Sequence, residues 1–242
     1  MLKIFLALLL LLSNLLYANL MWEFEKEYLM AKKECDFKKI FKIESEYYQK
    51  ALGLINKKEE KYTAYTILAV FFFDNLKVGN FEEAKNALKN LENLVKKYKF
   101  LRKLYNMQKH NYKIAFHYYN KEFKKACLYW KKWKKEIKKN YMAIGYIINS
   151  AIIINDKEIL SEIIKIKKLK DEEKIILNYF LSNGKIKPKE KPQIVRSKNL
   201  YSYMVGEIDK NHLIESLKNE GECAEFYKAQ YECIKLFCQS LP

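Results

Sequence analysis

Glycine and proline are scarce: 6 Gly and 3 Pro in 242 residues. Sandwiches and barrels need a turn every few residues, and those turns draw on Gly, Pro, Asn and Asp. So few of the first two argue against an all-β fold and for long helices. Histidine is equally sparse, with 3 in the chain. His110 and His117 are seven apart on one helical face, about 10.5 Å of rise, too far to share one metal ion. No GxSxG, HExxH or Gly-rich phosphate loop occurs, and none of the usual hydrolase, zinc-protease or nucleotide signatures is therefore met. The reading is non-enzymatic, with no cofactor and no metal. Arginine is confined to Arg102 and Arg196, so the net charge of +17 is carried by Lys. Lys, Asn, Ile, Tyr and Phe have A/T-heavy codons, and part of that charge reflects composition. No zinc-finger, helix-turn-helix or RNP-type pattern accompanies it, and nucleic acid is not the expected partner.

The first eighteen residues are the most informative part of the chain. Lys3 precedes an apolar run from Ile4 to Leu16 that closes on Leu-Tyr-Ala. A short positive segment, an apolar stretch of about 7–15 residues and a small residue before a polar start form a secretory signal. Residues 1–18 are read as a signal peptide cut after Ala18. Left uncut, the run is a short membrane anchor, since spanning takes about 20 apolar residues. No Cys follows the run, so the bacterial lipoprotein signal is absent. The expected location is the periplasm, with a secreted or membrane-anchored fate compatible with the same signal.

From Asn19 the sequence reads as consecutive amphipathic helices, an all-α fold. Ile40, Ile43 and Tyr47 recur at helical spacing after Asp36, a capping residue. Tyr62 to Val78 is apolar nearly all round and belongs between neighbours. Glu82 and Glu83 open the next helix, and Lys96 and Lys97 close it, both suited to the helix dipole. Further helices are expected over 100–119, 122–139, 141–154, 157–169 and 171–181. Residues 185–200, with Pro188 and Pro192 among Lys and Glu, read as a linker or surface loop. Residues 201–242 read as a small helical pair.

The breaks between helices repeat. Gly79-Asn80-Phe81-Glu82-Glu83-Ala84 resembles the turn of a tetratricopeptide repeat, with an aromatic two residues after the Gly and an Ala three residues later. Asn120-Lys121-Glu122-Phe123-Lys124-Lys125-Ala126 keeps the aromatic and the Ala without the Gly, and Cys35-Asp36-Phe37 and Asn155-Asp156-Lys157 are fainter versions. Ala84 and Ala126 lie 42 residues apart, against 34 in a regular repeat. The resemblance implies a solenoid of stacked antiparallel hairpins over residues 19–184, with a concave groove lined by the first helix of each hairpin. Aligned on Ala126, it assigns Gln108, Asn111, Tyr118 and Tyr119 to that groove. Aligned on Ala84, it adds Thr66, Phe73 and Lys77. The implied partner is a peptide or a subunit of an envelope complex.

Positive charge is densest between Lys96 and Lys139, where 16 Lys or Arg stand against Glu122 and Glu136. Lys121, Lys124, Lys125, Lys131, Lys132, Lys134, Lys135, Lys138 and Lys139 interleave with Phe123, Ala126, Tyr129, Trp130, Trp133 and Ile137. One reading is a core stripe with a solvated face. The other is a basic surface for anionic lipid or polymer.

Five Cys follow the signal, at 35, 127, 223, 233 and 238. Export favours pairing, and an odd number leaves one over. Cys223 and Cys233 are too far apart to pair along one helix. Cys223 or Cys238 is the candidate for a disulfide tying the last helix to its neighbour, with buried reduced thiols as the alternative.

Overall fold

The computed structural model describes residues 21–55, 61–138, 143–188, 195–220 and 227–242. The signal segment, Lys139, Pro192 and Cys223 lie outside them. The fold is all-α: twelve helices and no strand among the described residues. They are α1 (21–33), α2 (Phe37–Leu54), α3 (Lys61–Val78), α4 (Phe81–Lys97), α5 (Leu101–Tyr119), α6 (Phe123–Ile137), α7 (Ile144–Ile153), α8 (Lys157–Ile163), α9 (Asp171–Leu181), α10 (Val195–Val205), α11 (Lys210–Glu220) and α12 (Lys228–Ser240). Among the described residues no helix is long and apolar enough to cross a membrane.

One turn geometry explains the repeated breaks. Cys35, Gly79, Lys121 and Asn155 each have a positive φ, from 48° to 100°, and each sits two residues before the next helix. A left-handed residue after a helix lets two amides fold back onto its last free carbonyls. After α5, the Lys121 N–H donates to Tyr118 O at 3.0 Å and the Glu122 N–H to His117 O at 2.8 Å. After α7, Asn155 donates to Ile152 O at 3.1 Å and Asp156 to Ala151 O at 2.8 Å. The same pair of bonds closes α1 at Cys35 and Asp36, α9 at Asn183 and Gly184, and α10 at Gly206 and Glu207. Asp36 and Asp156 then open the following helix, accepting from the Lys39 and Ile159 amides through their side chains. One aspartate ends one helix with its amide and starts another with its carboxylate.

Two compact units are built on these helices. The first comprises residues up to Asn75 with Glu82–Leu104. There α2 buries Ile40, Ile43, Tyr47, Ala51 and Leu54, and α4 buries Ala84, Ala87, Leu88, Leu91 and Leu94. As its composition predicts, α3 is sunk on most sides, with Ala64, Tyr65, Ile67, Leu68, Phe71 and Phe72 all buried. Tyr48 stacks on Phe71 at 4.1 Å between centroids and accepts a 2.8 Å bond from Asn90. Buried Asp74 faces Lys32 at 3.5 Å, as a carboxylate out of water requires.

The second unit comprises Leu76–Phe81 and Tyr105–Pro242. At its centre is α7, a nearly pure apolar helix whose Ile144, Ile147, Ile148 and Ile152 are buried. Each such side chain contributes about 1.5–3 kcal/mol on burial. Helices α6, α8, α9 and α12 pack against it. Two expectations change here. First, α8 stops at Ile163 rather than Leu169, because Ile164 to Lys170 form turns that bring Leu169 back into the core. Second, residues 185–200 are not all linker, and the C-terminal segment is not a separate pair. A helix, α10, begins at Val195, and α10, α11 and α12 contribute Leu200, Met204, Leu213, Phe237 and Leu241 to the core that contains α7.

Candidate functional site

Two tyrosines end α5, and α7 adds a third. Tyr118 and Tyr119 lie 5.2 Å apart between ring centroids, Tyr118 and Tyr146 5.3 Å, and Tyr119 and Tyr146 5.7 Å. Burial raises the Tyr119 hydroxyl well above the ordinary phenol range and raises that of Tyr146 as well. Tyr118 and Tyr119 are buried, and Tyr146 is half-buried. The last helix, α12, covers them: its Cys233 thiol donates to the Tyr118 carbonyl at 3.4 Å, and Lys121 pairs with Glu232. Lys77 stands 5.2 Å over the Tyr227 ring. A Cβ added at Gly79 would meet Ala229 Cβ at 3.7 Å. At the far end of α12, Tyr203 donates to the Pro242 carbonyl at 2.7 Å and Lys210 to that of Leu241 at 2.7 Å.

The residues that the resemblance assigned to a groove are thus placed in three ways. Tyr118, Tyr119 and Lys77 come together beneath or beside α12, and the two tyrosines assigned to the groove are buried, with the chain's own last helix against them. Asn111 is buried one turn from Gln108, to which its amide donates at 3.4 Å, and its Oδ1 has no partner among the described residues. Thr66 and Phe73 belong to the first unit. Thr66 is exposed there, and Phe73 packs edge-on against Phe72 at 5.1 Å.

Beside the start of α12 a cleft of about 270 Å³ remains open. Val78, Phe81 and Ala229 give it an apolar floor, and Asn120, Lys121, Lys228 and Glu232 form a polar rim. Lys228 is exposed and has no partner among the described residues. Tyr227 precedes α12 and makes no side-chain cap bond to it among the described residues. Sequence reasoning missed α12 as the cover of the tyrosine face. The signal was present in Ala229, Cys233, Phe237 and Cys238, small or apolar residues at helical spacing.

The basic helix α6 separates into a buried stripe and a lysine face. Its stripe is core: Phe123, Ala126, Trp130 and Ile137 are buried, while Tyr129 and Trp133 are half-buried. Its lysines are partly spent on neighbours. Lys125 pairs with Glu122, Lys131 with Glu158 at 3.1 Å, and Lys134 with Glu162 at 3.3 Å. Lys132 and Lys138 lie over the rings of Trp133 and Trp130. Lys124 and Lys135 are exposed and unpaired among the described residues.

The histidines are occupied locally. His110 is buried, its Nδ1 3.2 Å from the Tyr129 hydroxyl and its ring 5.5 Å from that of Trp133. Burial, then Lys109, lowers its pKa, against a weaker opposing pull from Glu136. His117 Nδ1 lies 2.8 Å from Glu122 Oε2. No cluster of three or more metal-ligating residues occurs among the described residues. Cys238 is buried and outside any disulfide, as are Cys127 and Cys233, so for Cys238 the alternative of a buried reduced thiol holds and the expected disulfide does not. It packs in the core around α7. Cys35 is disulfide-bonded instead.

Comparison with protein-family models, characterised proteins and solved structures finds no match.

Proposed function

We propose that the protein is an exported, periplasmic, non-enzymatic interaction scaffold of tetratricopeptide-like helical hairpins, which holds a segment of an envelope protein against the first helices of its hairpins. The observation that carries this reading is α12. A helix already lies against the ends of α3, α5 and α7, through Tyr227, Ala229, Glu232 and Cys233. Within the second unit the ends of these helices therefore form a surface that accepts a helix, and its open part is the cleft at the start of α12. The recurrent left-handed turn at Cys35, Gly79, Lys121 and Asn155 supports the hairpin-repeat reading, since one geometry repeated along a chain is what such arrays use. The competing use, an anionic lipid or polymer on the α6 lysines, draws on Lys124 and Lys135, because Lys125, Lys131 and Lys134 already face carboxylates.

A photocrosslinking residue placed at Lys228 or at Lys135 of the exported protein in cells separates the two. A discrete protein captured from position 228, and retained in high salt, supports the scaffold. Capture only from position 135, of lipid or polymer that is released by salt, refutes it.

A further inference from the structure

We propose that the cleft at the start of α12 recognises a peptide in which a large apolar side chain stands next to an Asp or Glu. This rests on the scaffold reading and names the chemistry of its partner. The volume limits the occupant first. About 270 Å³ lies just below the usual range for small-molecule sites, about 300–1,000 Å³. It suits a side chain and a short piece of backbone.

The lining then selects the chemistry. Val78, Phe81 and Ala229 offer apolar contact at the floor. On the rim, Lys121 has its charge met by Glu232, while Lys228 has none among the described residues. Among the described residues the rim therefore carries one positive charge without a counter-charge, beside an apolar floor. A carboxylate one residue from an apolar side chain satisfies both at once. A Lys or Arg in that position meets Lys228 and is repelled.

The test uses the exported protein, isotope-labelled for amide NMR, and two capped hexapeptides that differ only in carrying Phe-Glu or Phe-Gln. The Phe-Glu peptide should shift the amides of Gly79, Asn120 and Ala229. Its affinity should exceed that of the Phe-Gln peptide by about tenfold, the size of one charge-assisted hydrogen bond. Lys228→Glu should remove the preference, whereas Lys135→Glu should leave it. Since both lysines are exposed, neither change should affect folding, and an unchanged spectrum elsewhere checks this. Equal affinity for the two peptides, an unaltered preference in Lys228→Glu, shifts confined to other residues or no shift at all would each overturn the proposal. The two readings fail separately. A partner captured from position 228 through a segment without an acidic residue sinks this chemistry and keeps the scaffold, whereas absence of any protein partner in cells sinks the scaffold.

Discussion

At the scale of single residues, the acidic side chains at the turns make the sharpest predictions. Asp156 caps α8 through a 3.1 Å bond from the Ile159 amide, so Asp156→Ala should cost about 1 kcal/mol in urea unfolding. Glu122 has its pKa lowered by Lys125 and His117. A carboxylate depressed in the fold contributes stability above its unfolded pKa and loses it as pH falls through the folded value. Glu122→Gln should therefore flatten the acid limb of stability against pH. His110 acts in the same direction for a different reason. Burial lowers its pKa in the fold, while in the unfolded chain it takes up a proton at about pH 6.5. Its contribution is present above that pH and lost as pH falls towards its lowered folded value, and its imidazole resonances should titrate below the ordinary range. The thiols of Cys127 and Cys233 are each pushed up to about 12 by burial. A thiol reagent at neutral pH should leave both unmodified until the protein unfolds, because the thiolate is the reactive form.

At the scale of elements, the turn after α3 and the buried stripe of α6 test the architecture. Gly79 has φ +100°, and an added Cβ would make only an ordinary 3.7 Å contact. Gly79→Ala should cost about 1–2 kcal/mol through the backbone rather than through a clash, measured by the denaturation midpoint. Trp130 is fully buried, and Trp130→Ala should cost about 3–5 kcal/mol. Most helices were legible in the sequence because their signals are local. Apolar spacing and dipole-matched charges place α4, and α9 was expected over the residues that it occupies. What was not legible depends on distant contacts. Ile166 and Leu169 continue the pattern of α8, yet turns interrupt the helix there. The start of α10 hides beside prolines and lysines. The tyrosines at the end of α5 looked like groove residues because only α12, more than 100 residues away, shows that their face is covered.

At the scale of the whole molecule, α12 closes the second unit. Cys233 and Cys238 are fully buried, and Phe237 and Leu241 nearly so, with Tyr203 and Lys210 holding its far end. Deleting residues 228–242 should uncover Tyr118, Tyr119 and Tyr146 together with the apolar side of α7, and dye binding and loss of the cooperative transition should report it. In the intact protein, amide exchange in α12 should be as slow as in α7, because both are anchored in one core. The doubled role of Asp36 and Asp156 carries a different consequence. With one residue finishing a helix and starting the next, these joints have no slack, and one inserted residue would rotate everything downstream by about 100° and turn its apolar side to water. An engineer lengthening this protein, or fusing a cargo into it, should leave these two joints untouched.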